Sequence, residues 1–112
     1  SIVFTMIVFR GELYRSAPQT VKAFLRAHLQ AVQWIGKNQE EARSILTRRL
    51  RLSQEVGRKI NLIHWPSVPR SDPVLLEKMQ GVLINVGMLK KPIPAKQLYD
   101  ETLLEEVLKE KH

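Results

Sequence analysis

The chain opens with a continuous run of apolar residues, from Ile2 to Phe9, in which only Thr5 is polar. Continuous rather than alternating hydrophobicity is typical of a strand that is buried on both faces of a sheet. The remaining sequence contains no second convincing strand. Because a single strand leaves its backbone N–H and C=O groups unpaired, we expect its partners to come from further polypeptide or from a second copy of the chain.

After residue 16, apolar positions recur at steps of three and four, which is the spacing of one helix face. The pattern predicts a mainly α fold with one N-terminal β-strand. We expect a single subdomain over residues 1–112, with no internal domain boundary. The predicted strand covers residues 2–9, and the predicted helices cover about 17–35, 39–50, 54–63, 73–86 and 102–111.

Residue types that begin and end helices stand at most of the predicted helix ends. The predicted N-caps, whose side chains accept hydrogen bonds from the first free N–H groups, are Ser16, Asn38, Ser53 and Asp72. Two of them, Ser16 and Asn38, have Gln or Glu three residues later, which predicts a capping box. Pro73 follows Asp72 at the first helical position, where its missing N–H costs nothing. The predicted helix stops are Gly36 and Gly87.

The net charge is +7 at pH 7, so acidic partners must be considered. The densest basic stretch contains Arg43, Arg48, Arg49, Arg51, Arg58 and Lys59. No DNA- or RNA-binding motif accompanies it, and aromatic residues make up only 6% of the chain, which disfavours base stacking. The pattern favours a solvated surface over a nucleic-acid site. No apolar run reaches the length of a membrane span, so we expect no membrane insertion.

The residue types that carry out catalysis are present but not arranged for it. The histidines, His28, His64 and His112, are far apart and have no carboxylate at ligand spacing. The glycines are isolated, and no serine lies in a nucleophile-elbow pattern. With no cysteine, neither a disulfide nor a thiolate metal site can form. We therefore expect no enzymatic activity, no catalytic residue, no metal site and no cofactor.

Several segments together resemble a known family. Residues 18–25 read PQTVKAFL, residues 31–35 read AVQWI and residues 38–42 read NQEEA. Residues 76–80 read LEKMQ, residues 87–93 read GMLKKPI, and Tyr99-Asp100 precedes Leu104. In this order and spacing they resemble the C-terminal region of the substrate-binding proteins of bacterial ABC importers for nitrate, sulfonates, taurine and thiamine precursors. Residues 2–9 resemble the strand that precedes these helices in that family.

The resemblance implies a type II periplasmic-binding-protein fold, in which two α/β lobes flank a ligand cleft. It implies that this chain is the C-terminal portion of such a protein, and that most ligand-contacting residues lie upstream. The whole protein would capture a small anionic or organic solute and deliver it to an ABC permease. Its location would be the periplasm, or the cell exterior with a membrane anchor in a Gram-positive source.

Two residues of this chain are candidates for ligand contact on the strength of the resemblance. The family often contacts its ligand near the return crossover between lobes, which corresponds to Ser1 and Thr5. The chain departs from the family pattern at Arg51, where a small residue or Gly is usual. The precise class of solute is therefore not readable from the sequence.

Two further hypotheses follow from the residues themselves. The unpaired strand over residues 2–9 predicts a homo-oligomer when the chain is isolated. The alternative to the transport hypothesis is a stand-alone basic helical interaction module, in which the arginine-rich stretch binds nucleic acid.

Overall fold

The structure is a computed structural model that describes residues 6–110. The described part of the chain is mainly helical, as predicted. The α-helices are α1 (Gly11–Ser16), α2 (Pro18–Lys37), α3 (Gln39–Arg49), α4 (Gln54–Lys59), α5 (Pro73–Asn85) and α6 (Thr102–Leu108), and a 3₁₀ turn covers Ala95–Gln97. Residues 6–10 form neither helix nor strand, and residues 2–5 of the predicted strand lie outside the described residues. The N-terminal strand is therefore not shown.

The chain divides into two compact units. The first unit contains described residues 6–25 and 70–110, and the second contains residues 26–69. The division falls within α2, between Leu25 and Arg26. The absence of an internal domain boundary, expected from the sequence, stays a prediction.

The core of the first unit is built from apolar side chains of three helices. Its buried members are Val21 and Leu25 on α2, Leu76 on α5, and Leu103, Leu104 and Val107 on α6. Their spacing of one, three or four residues within each helix places them on single helix faces, as the apolar periodicity requires. Around this core, Lys22 on α2 pairs with Glu106 on α6 at 3.2 Å.

Polar side chains fix the loops of the first unit. The buried Gln80 on α5 donates to the carbonyl of Ile93 at 2.9 Å and accepts from its N–H at 2.6 Å. Near α6, the Glu101 carboxylate accepts from the N–H of Ser71 at 2.6 Å, while Arg70 pairs with Glu105. A buried polar side chain that is hydrogen-bonded in this way, such as Gln80, holds irregular backbone in one conformation.

Close packing of α3 against α4 holds the second unit together. The buried Gly57 on α4 lies so close to Thr47 on α3 that a Cβ atom at Gly57 would lie 2.8 Å from Thr47 Cγ2. The hydroxyl of Thr47 donates to the carbonyl of Arg43 at 2.7 Å. Only a residue without a side chain fits between these helices.

Helices α3 and α5 end in the same way, in a Schellman motif. After α5, Gly87 has a φ of 79°, its N–H donates to Ile84 O at 3.1 Å, and the N–H of Met88 donates to Leu83 O at 2.9 Å. After α3, Arg51 has a φ of 54°, its N–H donates to Arg48 O at 3.3 Å, and the N–H of Leu52 donates to Thr47 O at 2.9 Å. The left-handed position is thus occupied by Gly in one motif and by Arg in the other.

Three of the predicted capping roles are wrong, although α3 begins at Gln39 as predicted. Ser16 is the last residue of α1 rather than the N-cap of α2, and its hydroxyl donates to Glu12 O at 2.6 Å. Gly36 does not stop α2, which continues to Lys37. Asn38 precedes α3, but its side chain donates to Trp34 O at 2.9 Å and so satisfies the end of α2 instead of the start of α3.

The other predicted caps are confirmed. Ser53 Oγ accepts from the N–H of Val56 at 3.2 Å. Asp72 accepts from the N–H groups of Val74 and Leu75 at 3.0 and 3.2 Å, with Pro73 in the first turn. Helix α4 ends four residues before the predicted end, because Ile60 is extended and its carbonyl accepts from Arg43 Nε at 3.0 Å.

Candidate functional site

An open cleft of about 430 Å³ lies within the second unit. The end of α2, the start of α3 and the segment after α4 line it. Its apolar lining comes from Val32, Ile35, Leu62 and Ile63, and its polar lining from Gln39, Arg43, Asn61 and His64 together with Trp65. Apolar walls with a few polar groups are typical of small-molecule sites. Sequence reasoning did not predict this cleft, because its lining residues share no motif and come together only through packing.

Arg43 is the charged group of this cleft, and its hydrogen bonds are already made to the protein. Its Nε donates to Ile60 O at 3.0 Å, and its guanidinium pairs with Glu40 at 2.7 Å. The side chain is only 23% exposed. A guanidinium held by a carbonyl and a carboxylate links α3 to the chain after α4, and its positive charge is already matched. The geometry assigns Arg43 a structural role.

The histidines are not brought together at this cleft. His28 on α2 contacts Trp65 in an edge-to-face arrangement, with ring centroids 6.1 Å apart and an interplanar angle of 82°. This contact packs the Trp65 ring against α2. His64 lies in the cleft lining, and His112 is outside the described residues. Among residues 6–110, no group of three His, Asp or Glu side chains is arranged to hold a metal ion.

The predicted ligand-contacting residues, Ser1 and Thr5, lie outside the described residues. Their role as solute contacts stays a prediction. The segment that follows them, Met6 to Val8, is exposed, and Val8 is 83% accessible to solvent. Phe9 contacts Phe24 of α2 edge-to-face, with ring centroids 5.4 Å apart. This aromatic contact is where the N-terminal segment meets the helical part of the first unit.

The basic stretch of the second unit contains both paired and unpaired cations. Arg43 pairs with Glu40, and Lys59 pairs with Glu55 at 3.2 Å. The arginines that form no ion pair with a described residue are Arg48, Arg49, Arg51 and Arg58. Arg48 and Arg49 line a second open cleft, of about 390 Å³, together with Ile45. This is the strongest unmatched charge that the structure brings together in the second unit.

Several side chains of the first unit have shifted pKa values, and each shift has a structural cause. A hydrogen bond from Arg70 lowers the pKa of Glu105 and raises the pKa of Arg70 itself. Hydrogen bonds from Thr102 lower the pKa of Asp100. Burial raises the pKa of Tyr14, whose hydroxyl accepts from the N–H of Leu103 at 3.3 Å. These groups tie α6 to its surroundings and do not line either cleft.

Comparison with family models, with curated proteins and with solved structures finds no match to this chain. Of the helices in the described part of the chain, none is long and apolar enough to cross a membrane.

Proposed function

We propose that the chain is the C-terminal part of a substrate-binding protein of an ABC importer, of the nitrate, sulfonate and taurine class. In the whole protein it would help to capture a small anionic or organic solute outside the cytoplasmic membrane and to present it to a permease. The order and spacing of the resembling segments between residues 18 and 104 carry this proposal. No chemical step is assigned to the chain, and no cofactor is required.

The observed helices support the proposal because they coincide with the resembling segments. Helix α2 begins at Pro18, the first residue of PQTVKAFL, and α3 begins one residue after Asn38 in NQEEA. In the first unit, LEKMQ lies within α5, and GMLKKPI begins at the Gly87 that ends it. The resemblance implies helices at these positions, and their presence supports the proposal.

Exposed apolar side chains of the first unit also support the proposal. The exposed apolar side chains of the first unit include Met6, Val8, Phe24, Val74, Val82, Val86 and Met88. Further polypeptide in the parent protein would cover such a surface.

In this proposal residues 2–9 form a strand in the sheet of one lobe. The apolar run would pair with strands formed by the upstream chain, and α2 would pack on that sheet. Ser1 and Thr5 would then be candidates to reach the solute cleft. Solute bound between the two lobes would stabilise their closed arrangement, which the permease would recognise.

The test uses the protein encoded by the complete reading frame that contains this chain. Nitrate, an alkyl sulfonate, taurine and a thiamine-precursor pyrimidine are each added during thermal unfolding. At about 100 times its Kd, a bound solute adds about 2.7 kcal/mol of stability. For a protein of this class that raises Tm by about 5 °C or more. A complete protein whose Tm responds to none of these solutes would contradict the proposal.

A matched pair of substitutions tests the candidate contact. Thr5→Val in the complete protein removes a hydroxyl from the proposed cleft and should reduce the Tm shift caused by the solute. Thr20→Val makes the same change at an exposed position on α2 and should leave that shift unchanged. Equal effects of the two substitutions would remove Thr5 from the site.

A further inference from the structure

Arg51, which follows α3, has a left-handed backbone conformation. Helices α3 and α5 end in the same Schellman motif, with Arg51 at the position that Gly87 occupies after α5. A positive φ brings the Cβ of an L-residue close to its own backbone, and Gly avoids this cost. Arg51 is the only residue other than Gly with a positive φ among residues 6–110. Glycine at position 51 would therefore make the same backbone conformation more stable.

Stabilisation of α3 does not explain why position 51 carries a positive charge. Arg48 and Arg49 already lie in the last turn of α3, where positive charge complements the helix dipole. Arg51, two residues further on, adds a third positive charge to a short stretch in which none of the three pairs with a described acid. Positive charges this close together along the chain repel one another. Strain and repulsion at one place indicate a role outside the fold.

The surface around these arginines is apolar as well as basic. Ile45, Arg48 and Arg49 line the open cleft of about 390 Å³, at spacings of three and four residues along α3. Leu50, at the end of the helix, is 58% exposed. We call Ile45, Arg48, Arg49, Leu50 and Arg51 the basic face. Guanidinium groups bind phosphates through paired hydrogen bonds, and exposed aliphatic side chains favour an apolar neighbour.

We propose that the basic face is a docking surface for an anionic lipid bilayer. A bilayer offers phosphate groups and acyl chains at the same boundary, which matches arginines interleaved with Ile45 and Leu50. Nucleic acid offers phosphates too, but the phosphate backbone of a duplex gives Ile45 and Leu50 no apolar partner. Single-stranded nucleic acid stacks its bases on aromatic side chains, and the basic face contains none. The inference is independent of the proposed function, because it rests on the second unit alone.

The test measures retention of the full 112-residue chain on sedimented vesicles. Vesicles of phosphatidylcholine with about 30% phosphatidylglycerol are compared with pure phosphatidylcholine, at low and at high salt. The chain should bind the anionic vesicles at low salt and be released at high salt. Equal binding to both kinds of vesicle, or retention on a DNA duplex without retention on anionic vesicles, would overturn the proposal.

Arg48→Gln combined with Arg49→Gln should weaken anionic-vesicle binding by about 25-fold, at about fivefold for each arginine near the surface. Lys90→Gln combined with Lys91→Gln removes the same charge from exposed positions in the first unit and should change binding by less than about twofold. Equal losses from the two double variants would show that only net charge matters, and the docking surface would be rejected.

Arg51→Gly gives the sharpest test because it separates stability from binding. Gly relieves the left-handed strain, so Tm should rise by about 4 °C. The loss of one arginine should at the same time weaken vesicle binding by about fivefold. A variant that is more stable and binds anionic vesicles as well as the parent chain would overturn the role assigned to Arg51.

Discussion

At the scale of single residues, a tertiary contact explains why position 57 is glycine. In the sequence, a Gly inside a predicted helix only lowers helix propensity. In the structure it is buried against Thr47, where a side chain has no room. Such close approaches cannot be predicted from helix periodicity, because they depend on which residue of another helix lies opposite.

Gly57→Ala should therefore destabilise the second unit. Its Cβ would lie 2.8 and 2.9 Å from Thr47 Cγ2 and Cβ, so α3 and α4 must move apart, at a cost of about 1–3 kcal/mol. Gly36→Ala is the matched control, because a Cβ there has no neighbour within 4 Å. It should raise the free energy of unfolding by about 0.5–1 kcal/mol. Urea unfolding measures both, and effects of the same sign would contradict this packing.

The hydrogen bonds to the Asp100 carboxylate predict that the stability of the chain depends on pH. Hydrogen bonds from Thr102 and then from Tyr14 hold its pKa below the usual value, and the N–H of Thr102 donates to Asp100 Oδ1 at 2.8 Å. Because the folded state has the lower pKa, the stabilisation is present above the unfolded-state pKa of about 3.9. It is lost as the pH falls through the folded-state pKa.

Asp100→Asn should reduce the free energy of unfolding at neutral pH, and this difference from the parent chain should shrink as the pH falls below the unfolded-state pKa of about 3.9 and through the lower folded-state pKa. Urea unfolding at several pH values measures it. Glu77→Gln is the control, since Glu77 on α5 is exposed and forms no ion pair with a described residue. A difference between the parent chain and Asp100→Asn that stays constant with pH would contradict the assigned hydrogen bonds.

At the scale of helices and segments, the sequence predicted best the capping residues that act on a single helix. Ser53, Asp72 and Gly87 act through local backbone geometry, so residue type alone was enough to predict them. The roles of Gly36 and Asn38 were misassigned because only Lys37 lies between them and α2 extends to that residue. Asn38 could satisfy the end of one helix or the start of the next, and sequence spacing does not distinguish these.

The two Schellman motifs predict opposite effects of exchanging residue types. Arg51→Gly should raise the free energy of unfolding, whereas Gly87→Ala should lower it, each by about 1 kcal/mol. The physical reason is the same, since both positions have a positive φ. Thermal unfolding of the two variants measures this, and destabilisation by Arg51→Gly would contradict the left-handed backbone at that position.

The apolar N-terminal segment predicts self-association of the isolated chain. If residues 2–9 pair with the same residues of another copy, Val8→Lys places a charge in the paired strand and should shift the chain toward monomer. Val74→Lys makes the same change at an exposed position on α5 and should leave the association unchanged. Sedimentation velocity measures both. A parent chain that is a clean monomer at high micromolar concentration would contradict strand pairing.

At the scale of the whole molecule, many large apolar side chains are exposed. Among residues 6–110, Val21 and Val107 are the largest fully buried side chains, whereas Val8, Ile63 and Met88 are each at least 70% exposed. The helical class was readable from periodicity. The cleft of about 430 Å³ was not, because residues of several segments that share no motif form it by packing. The residues of the second cleft, Ile45, Arg48 and Arg49, follow one another at helical spacing on α3. The predicted solute contacts, Ser1 and Thr5, are outside the described residues, so their role stays a prediction.

The central claim is that this chain belongs to a larger two-lobed binding protein. The most direct test is to determine the reading frame upstream of Ser1. We predict about 200 further in-frame residues, enough for the remainder of two lobes, with an apolar signal peptide at their start. An initiation codon immediately before Ser1, with no further coding sequence upstream, would contradict the claim.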